Sequence, residues 1–427
     1  METRTVAITG VGLISALGRG TAANWEAVVA GRCGVTEGGD PAHPAWIRWA
    51  GRVTDASLPA GLDPKVMGQA KFLNRGAVLG LAAAWEAAQE AALPATVPAR
   101  RRALYVATGD FTMADCAFLY PAVREASGGR FRELDAERLN RAAVDKVNPF
   151  FLLESIANNP FSFLSAALGY MGTGTSLSSQ SPTGAHALEL GYRAVRTGRA
   201  DAAVVVGCGA WVAPVPLLEL KELGLLSAAL VGAASFRPFD RRRDGFLAGE
   251  GGAALVLEPV EAARARGATV LGVVRGVGNA AGPSSRLVVH HEVALAAMRE
   301  ALTEAAAAPA GLGFVCPHGS GTRKSDRSEG TALREFLDGA PVPVCALKPY
   351  TGHLGAASDV GEVVLGLSAA AHGVVPATLH FTATELDHAG LALANTPQSC
   401  ATPLFLSVSY GLAGQAAAVA VEATPSR

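Results

Sequence analysis

Short apolar runs alternate along the chain with longer stretches of helical period. Ala203–Val206, Ala254–Leu257, Val270–Val274, Val342–Cys345, Leu404–Val408 and Ala417–Val421 read as strands. Several are apolar on consecutive residues, which suits strands covered on both faces. Gly76–Ala92 carries Val78, Leu81, Ala82 and Trp85 at helical spacing, and Gly184–Arg196 places Leu188, Tyr192 and Val195 on one face. Val293–Ala306 and Asp359–Ala371 follow the same pattern. The alternation predicts a layered α/β fold, and an abundance of Ala and Gly suits layers in close approach. Val6–Leu17 is apolar but broken by Gly10, Gly12, Thr9 and Ser15, which predicts a buried strand followed by a glycine turn rather than a targeting peptide. Gly109–Pro160 mixes Phe111, Met113, Phe118, Tyr120, Phe131, Phe150 and Phe151 with charges, which predicts excursions that line a pocket or meet a partner. The charged stretch Glu258–Gly267 is the best internal boundary.

Composition narrows the class. The 427 residues are 50% hydrophobic and 17% charged, enough for a large core and incompatible with disorder. Lys and Arg number 36 against 37 Asp and Glu, a net charge of −1, so neither nucleic acid nor an anionic membrane is the expected partner. No run reaches the roughly 18 uncharged apolar residues of a membrane span. The cysteines, at 33, 116, 208, 316, 345 and 400, lack CxxC spacing and predict neither a zinc site nor a disulfide scaffold. A reducing cytoplasm fits this usage.

Five motifs bear on chemistry. Gly10-Val11-Gly12 after a strand invites a dinucleotide reading, but the third glycine and the acidic ribose partner are missing, and a tight turn explains the glycines. His290-His291 puts adjacent imidazoles on different faces, a poor metal pair. His318-Gly319-Ser320-Gly321-Thr322 is stronger: it follows the apolar run Gly313–Cys316, and the glycines leave the imidazole open to a ligand. Lys348-Pro349-Tyr350-Thr351-Gly352-His353 is a second histidine loop after a strand. Two neutral imidazoles on such loops could donate to a developing oxyanion or enolate; two satisfied loop histidines are the plain alternative. Ser179-Gln180-Ser181-Pro182-Thr183-Gly184 leads into an amphipathic helix. Ser181 lies near its start, where the helix dipole favours negative charge, or is an ordinary N-cap.

Taken together, these segments resemble the β-ketoacyl synthase family of the thiolase fold, over nearly the whole chain. The resemblance rests on Val6-Ala7-Ile8-Thr9-Gly10-Val11-Gly12, Arg237-Pro238-Phe239-Asp240, Arg243-Asp244-Gly245-Phe246, Gly249-Glu250-Gly251, both histidine loops and Ser407-Val408-Ser409-Tyr410-Gly411-Leu412. The stretch from His318 to Glu329 is similar to bacterial type II polyketide ketosynthases. The resemblance implies a five-layered αβαβα sandwich of two similar halves, divided here at 1–258 and 259–427. It also implies an active site in which a cysteine at a helix N-terminus takes the acyl chain from an acyl carrier protein while two histidines assist malonyl decarboxylation and condensation. The histidines correspond to His318 and His353, the lysine to Lys348 and its glutamate partner to Glu329. Tyr410 corresponds to the gating aromatic whose backbone N–H joins the oxyanion hole. Phe111 and Thr322 are the expected substrate contacts. Where the family has Thr-Ala-Cys-x-x-Gly, this chain has Ser181 in place of the cysteine.

Oxygen for sulfur changes the chemistry. A thiol ionises near pH 8.5, lower at a helix N-terminus; a serine hydroxyl needs a positioned base, and no Asp or Glu lies beside Ser181 in the sequence. Three readings follow. The first is a non-condensing partner of a cysteine-bearing ketosynthase, similar to a chain length factor, that helps bound the acyl tunnel. The second is an acyltransferase or hydrolase that uses Ser181 on carrier-protein or coenzyme A thioesters. The third is a condensing enzyme whose cysteine has been replaced by serine. Ser409 and Leu412, bulkier than the glycines of the family's gating loop, predict a stiff gate and favour the first. No metal or organic cofactor is expected, because the acyl carrier protein delivers the phosphopantetheine arm. Gly172–Ser178 corresponds to the family's dimer strand and implies a homodimer or a heterodimer.

Overall fold

One order of elements occurs twice. It first runs β1 (Val6–Ser15), α1 (Arg75–Ala91), β2 (Arg102–Ala107), α2 (Asn159–Leu168), β3 (Gly174–Leu177), α3 (Thr183–Arg196), β4 (Ala202–Ala210) and β5 (Glu250–Pro259). It then runs β6 (Gly272–Ala281), α4 (His291–Ala305), β7 (Phe314–Cys316), α5 (Arg323–Leu337), β8 (Pro343–Val344), α6 (Ala356–Ala371), β9 (Leu404–Tyr410) and β10 (Gln415–Ala423). This is a computed structural model that describes residues 3–426 apart from 42, 109–117, 131, 148, 179–181, 285–286, 385–388, 394 and 413. The strand orders are β3-β2-β4-β5-β1 and β8-β7-β9-β10-β6. In each set the first three strands are parallel and the last two pairings antiparallel. The sets join where Val6, Ala7 and Ile8 of β1 pair with Val274, Val273 and Gly272 of β6.

The consecutive apolar residues of the strands serve two faces with a period of two. Val205, Leu255 and Leu257 of the first set, and Phe405, Val419 and Val421 of the second, meet a shared middle layer. That layer holds Leu188 and Tyr192 of α3 and Val360, Val363, Val364 and Leu367 of α6. The alternate residues Val204, Val206 and Val256 pack on Leu79 and Ala83 of α1 and Phe163 of α2. Leu406, Val408 and Ala418 pack on Leu295 and Met298 of α4 and on Leu333 and Phe336 of α5. The result is the helix–sheet–helix–sheet–helix sandwich, in which each buried side chain of this size contributes about 1.5–3 kcal/mol. Fourteen of the sixteen residues of α6 are buried, as a helix enclosed on all sides requires.

Some expectations change. Gly10 and Gly12 lie inside β1, not in a turn after it. A Cβ on Gly10 would fall 2.1 Å from the Ala87 carbonyl oxygen, and one on Gly12 2.0 Å from that of Ala83. The two glycines therefore let α1 lie directly on β1. Val342–Cys345 shrinks to a two-residue strand, and the strand expected at Val270 begins at Gly272. Between 109 and 160 the described residues form short helices, Tyr120–Ala126, Ala136–Lys146 and Phe151–Ser155, with Tyr120, Phe150, Leu152 and Ile156 exposed. Phe111 lies outside the described residues. None of the described helices is long and apolar enough to cross a membrane.

Candidate active site

His318 lies two residues beyond β7, on a loop drawn in by two carboxylates of α5. Glu329 accepts the backbone N–H groups of His318 at 2.7 Å and Gly319 at 2.9 Å. Asp326 accepts those of Phe239 at 2.7 Å and Gly321 at 3.0 Å and the Ser320 hydroxyl at 3.3 Å, with the Arg243 guanidinium 3.5 Å away. Spaced i, i+3, the two acids share one helix face. Burial raises both carboxyls, Asp326 to about 6 and Glu329 to about 8, against the pull of these N–H donors.

His353 follows a single helical turn, Lys348–Thr351, and Gly352, whose φ of 79° suits glycine. Its backbone is clamped to the chain after Phe246: its N–H donates to Leu247 O, and Gly249 N–H donates to its carbonyl, both at 2.9 Å. The ring lies 4.6 Å from that of Trp211 and 4.8 Å from that of Phe246, centre to centre.

The two loops bring the imidazoles together, 5.4 Å apart and 67° inclined. Each has its Nδ1 occupied. Gly355 N–H donates to His353 Nδ1 at 3.1 Å, and Tyr410 N–H donates to His318 Nδ1 at 3.3 Å. A ring nitrogen that accepts carries no proton, so in the neutral ring the proton resides on Nε2. Burial pulls both imidazoles well below the ordinary histidine value, and the nearby Lys348 charge pulls the same way. The site thus holds two neutral rings, each with an Nε2–H to offer a carbonyl or enolate oxygen. They line one cavity with Pro182, Thr183, Trp211, Thr322, Asp359 and Leu412.

Two expected roles change. Lys348 does not pair with Glu329. Its Nζ lies 2.8 and 2.9 Å from the two carboxylate oxygens of Glu362 on α6, while Glu329 is spent on the His318 loop. Burial works to discharge Lys348, but Glu362 outweighs it and the ammonium's pKa is raised. Lys348 is therefore a committed charge rather than a free donor. The Tyr410 N–H is likewise committed, to His318 Nδ1, with the tyrosine ring stacked on the imidazole at 5.4 Å and 12°. Tyr410 is the last residue of β9, paired with Ala416, so its backbone is held in the sheet and is not free to serve an oxyanion. Tyr410 and Leu412 both line the cavity. Thr322 lines the cavity, its hydroxyl 3.0 Å from that of Ser320. Ser181 lies outside the described residues; the next two, Pro182 and Thr183, line the cavity.

Three residues escaped the sequence reading: Trp211, Glu362 and Asp359. Asp359 Oδ2 accepts the backbone N–H groups of Gly184 at 3.0 Å and Ala185 at 3.4 Å, at the start of α3. Two carboxylates in an otherwise apolar helical run were the available signal, because a buried charge demands a partner or a task.

Residues 3–263 match the family described as beta-ketoacyl synthase, N-terminal domain, and residues 271–382 match its C-terminal domain. The tetracenomycin polyketide synthase ketoacyl synthase alpha subunit of Streptomyces glaucescens is 32% identical over 438 residues, covering 97% of this chain and 96% of its own. Two solved structures superpose with a TM-score of 0.84. One is a type II polyketide synthase acyl-carrier protein in complex with its ketosynthase bound to the hexaketide, at 22% identity, covering 99% of this chain and 100% of that one. The other is the ishigamide ketosynthase/chain length factor, at 24% identity, covering 99% of each chain. At these identities the two structures share the fold.

Proposed function

The chain belongs to the β-ketoacyl synthase family, and on that footing we propose that it is the non-condensing partner of a cysteine-bearing ketosynthase. In this reading it is a chain length factor of type II polyketide or fatty acid biosynthesis, working in the cytoplasm and shaping the acyl tunnel. The observation that carries the reading is Ser181 at the position of the nucleophilic cysteine. The tautomers support it. A neutral imidazole with Nδ1 accepting and Nε2 protonated has no lone pair left to take a proton from a serine. The partners proposed are an acyl carrier protein, which brings the phosphopantetheine arm, and a ketosynthase subunit docked along β3. That strand ends the sheet order. When co-expressed with such a ketosynthase, the chain is expected to co-purify as a one-to-one complex and to make no product alone. Condensation at an ordinary rate by the isolated chain rejects the proposal.

The retained pair of Nε2–H donors, placed to polarise a thioester carbonyl, favours one second reading, Ser181 as the nucleophile of an acyltransferase or hydrolase on carrier-protein or coenzyme A thioesters, with a base other than these two imidazoles. That reading requires an acyl adduct visible by intact mass after incubation with acylated carrier protein and lost in Ser181→Ala. An unchanged mass removes it. The third reading, a condensing enzyme with its cysteine replaced, is decided by the native codon at position 181.

A further inference from the structure

We infer that Asp359 keeps carboxylate-bearing acyl groups, malonyl above all, out of the cavity, which admits neutral acyl chains. The inference rests on the non-condensing reading, in which the chain has no use for a malonyl unit. Asp359 is the one formally charged side chain among the described residues that line the cavity, which it shares with both imidazoles. Its place removes an attraction as well as adding a repulsion. The first N–H groups of a helix lack intrahelical partners, and the dipole there favours an anion. The first turn of α3 reaches the cavity through Thr183, but the N–H groups of Gly184 and Ala185 already donate to Asp359 Oδ2. Packing holds the carboxylate there. A Cβ on Gly184 would fall 2.3 Å from the Ala356 carbonyl oxygen and 2.8 Å from the Asp359 Cβ, so α3 and α6 meet without slack.

No cation among the described residues that line the cavity offsets this charge. His318 and His353 are neutral. Lys348, on the turn before His353, attracts Asp359 but is matched by Glu362, one turn further along α6. From β9 the Ser409 hydroxyl donates to the carboxylate without neutralising it. Behind the His318 loop, Arg243 faces Asp326. Arg323 and Lys324 follow Thr322 at the start of α5 but are exposed, where water and salt screen them. Burial raises the Asp359 carboxyl to about 6, so it is ionised at neutral pH and repels a second anion in this dry site. The same value sets the size of the effect. An incoming carboxylate can be met by protonating Asp359, which at pH 7 costs about one unit, or about tenfold in affinity.

The test is calorimetric titration of the full chain at neutral pH with two pantetheine analogues in which an amide replaces the thioester, one malonyl and one acetoacetyl. They differ only in a terminal carboxylate against a neutral acetyl end of similar size, so the arm and the chain length cancel. The unaltered chain is expected to bind the acetoacetyl analogue about tenfold more tightly. D359N should bring the two affinities together, chiefly by tightening the malonyl analogue. D359S keeps a hydroxyl oxygen for the Gly184 N–H should D359N fail to fold. The unaltered chain already decides the matter: malonyl bound as tightly as acetoacetyl, or neither analogue bound, overturns the inference. So does a preference that persists undiminished in a folded Asp359 variant. Each of these outcomes leaves the non-condensing reading standing, because that reading is tested separately, by condensation in the isolated chain.

Discussion

Each imidazole in the cavity has one nitrogen held by a backbone N–H, and that single hydrogen bond sets which face of the ring does chemistry. His318 and His353 were legible as a pair from their glycine-flanked loops. Their tautomers were not, because the donors, Tyr410 and Gly355, are set by where β9 and α6 arrive. Asp359 was not legible as a site residue either: its partners lie 175 and 174 positions away in sequence. At this scale the pH dependence of stability has a definite sign. A carboxyl whose folded value is raised, to about 6 for Asp359, contributes stability at low pH that is lost as pH rises through that value. Asp359→Asn should therefore stabilise the chain more at pH 8 than at pH 4, by on the order of 3 kcal/mol. Thermal melts of both proteins across that range check this, and a gain that shrinks with rising pH contradicts it.

Helix α6 shows how an element can be read correctly and its use missed. The period of Asp359–Ala371 announced a helix with one apolar face, and the helix is there, one turn longer at its start and buried on all sides. Its two carboxylates went unread in that run. Glu362 neutralises Lys348 in the core, and removing one member of such a pair leaves a buried charge without a counterpart. Glu362→Leu should cost about 3–5 kcal/mol, and adding Lys348→Met should recover much of it. Denaturant melts of the single and double variants decide; a single variant as stable as the parent would show that the pair does not carry this charge balance. The acids of α5 have a parallel task. Asp326 and Glu329 spend their oxygens on the backbone of the His318 loop, so the loop's shape is written one helix further along the chain.

At the scale of the molecule, two sets of five strands and their helices repeat one topology around a shared middle layer. The repeat leaves β3 at the end of the sheet. Leu104 N–H reaches Thr173 O and Thr108 N–H reaches Leu177 O, so by the alternation of a parallel ladder Ser176 turns its own N–H away from β2. Proline tolerates an outward edge position but cannot donate to an added strand. Ser176→Pro is expected to abolish co-purification with a ketosynthase partner while shifting the melting temperature of the isolated chain little. Undiminished complex formation would remove β3 from the interface. The sequence alone determined the layered α/β class, most helices, the two histidine loops and the serine that stands for cysteine, because these are written in local periodicity and short motifs. Tertiary structure alone decided the partners of Lys348 and Tyr410 and the place of Asp359. Each of these depends on which distant backbone a side chain meets, and buried charges and N–H groups take the partner that packing brings to them.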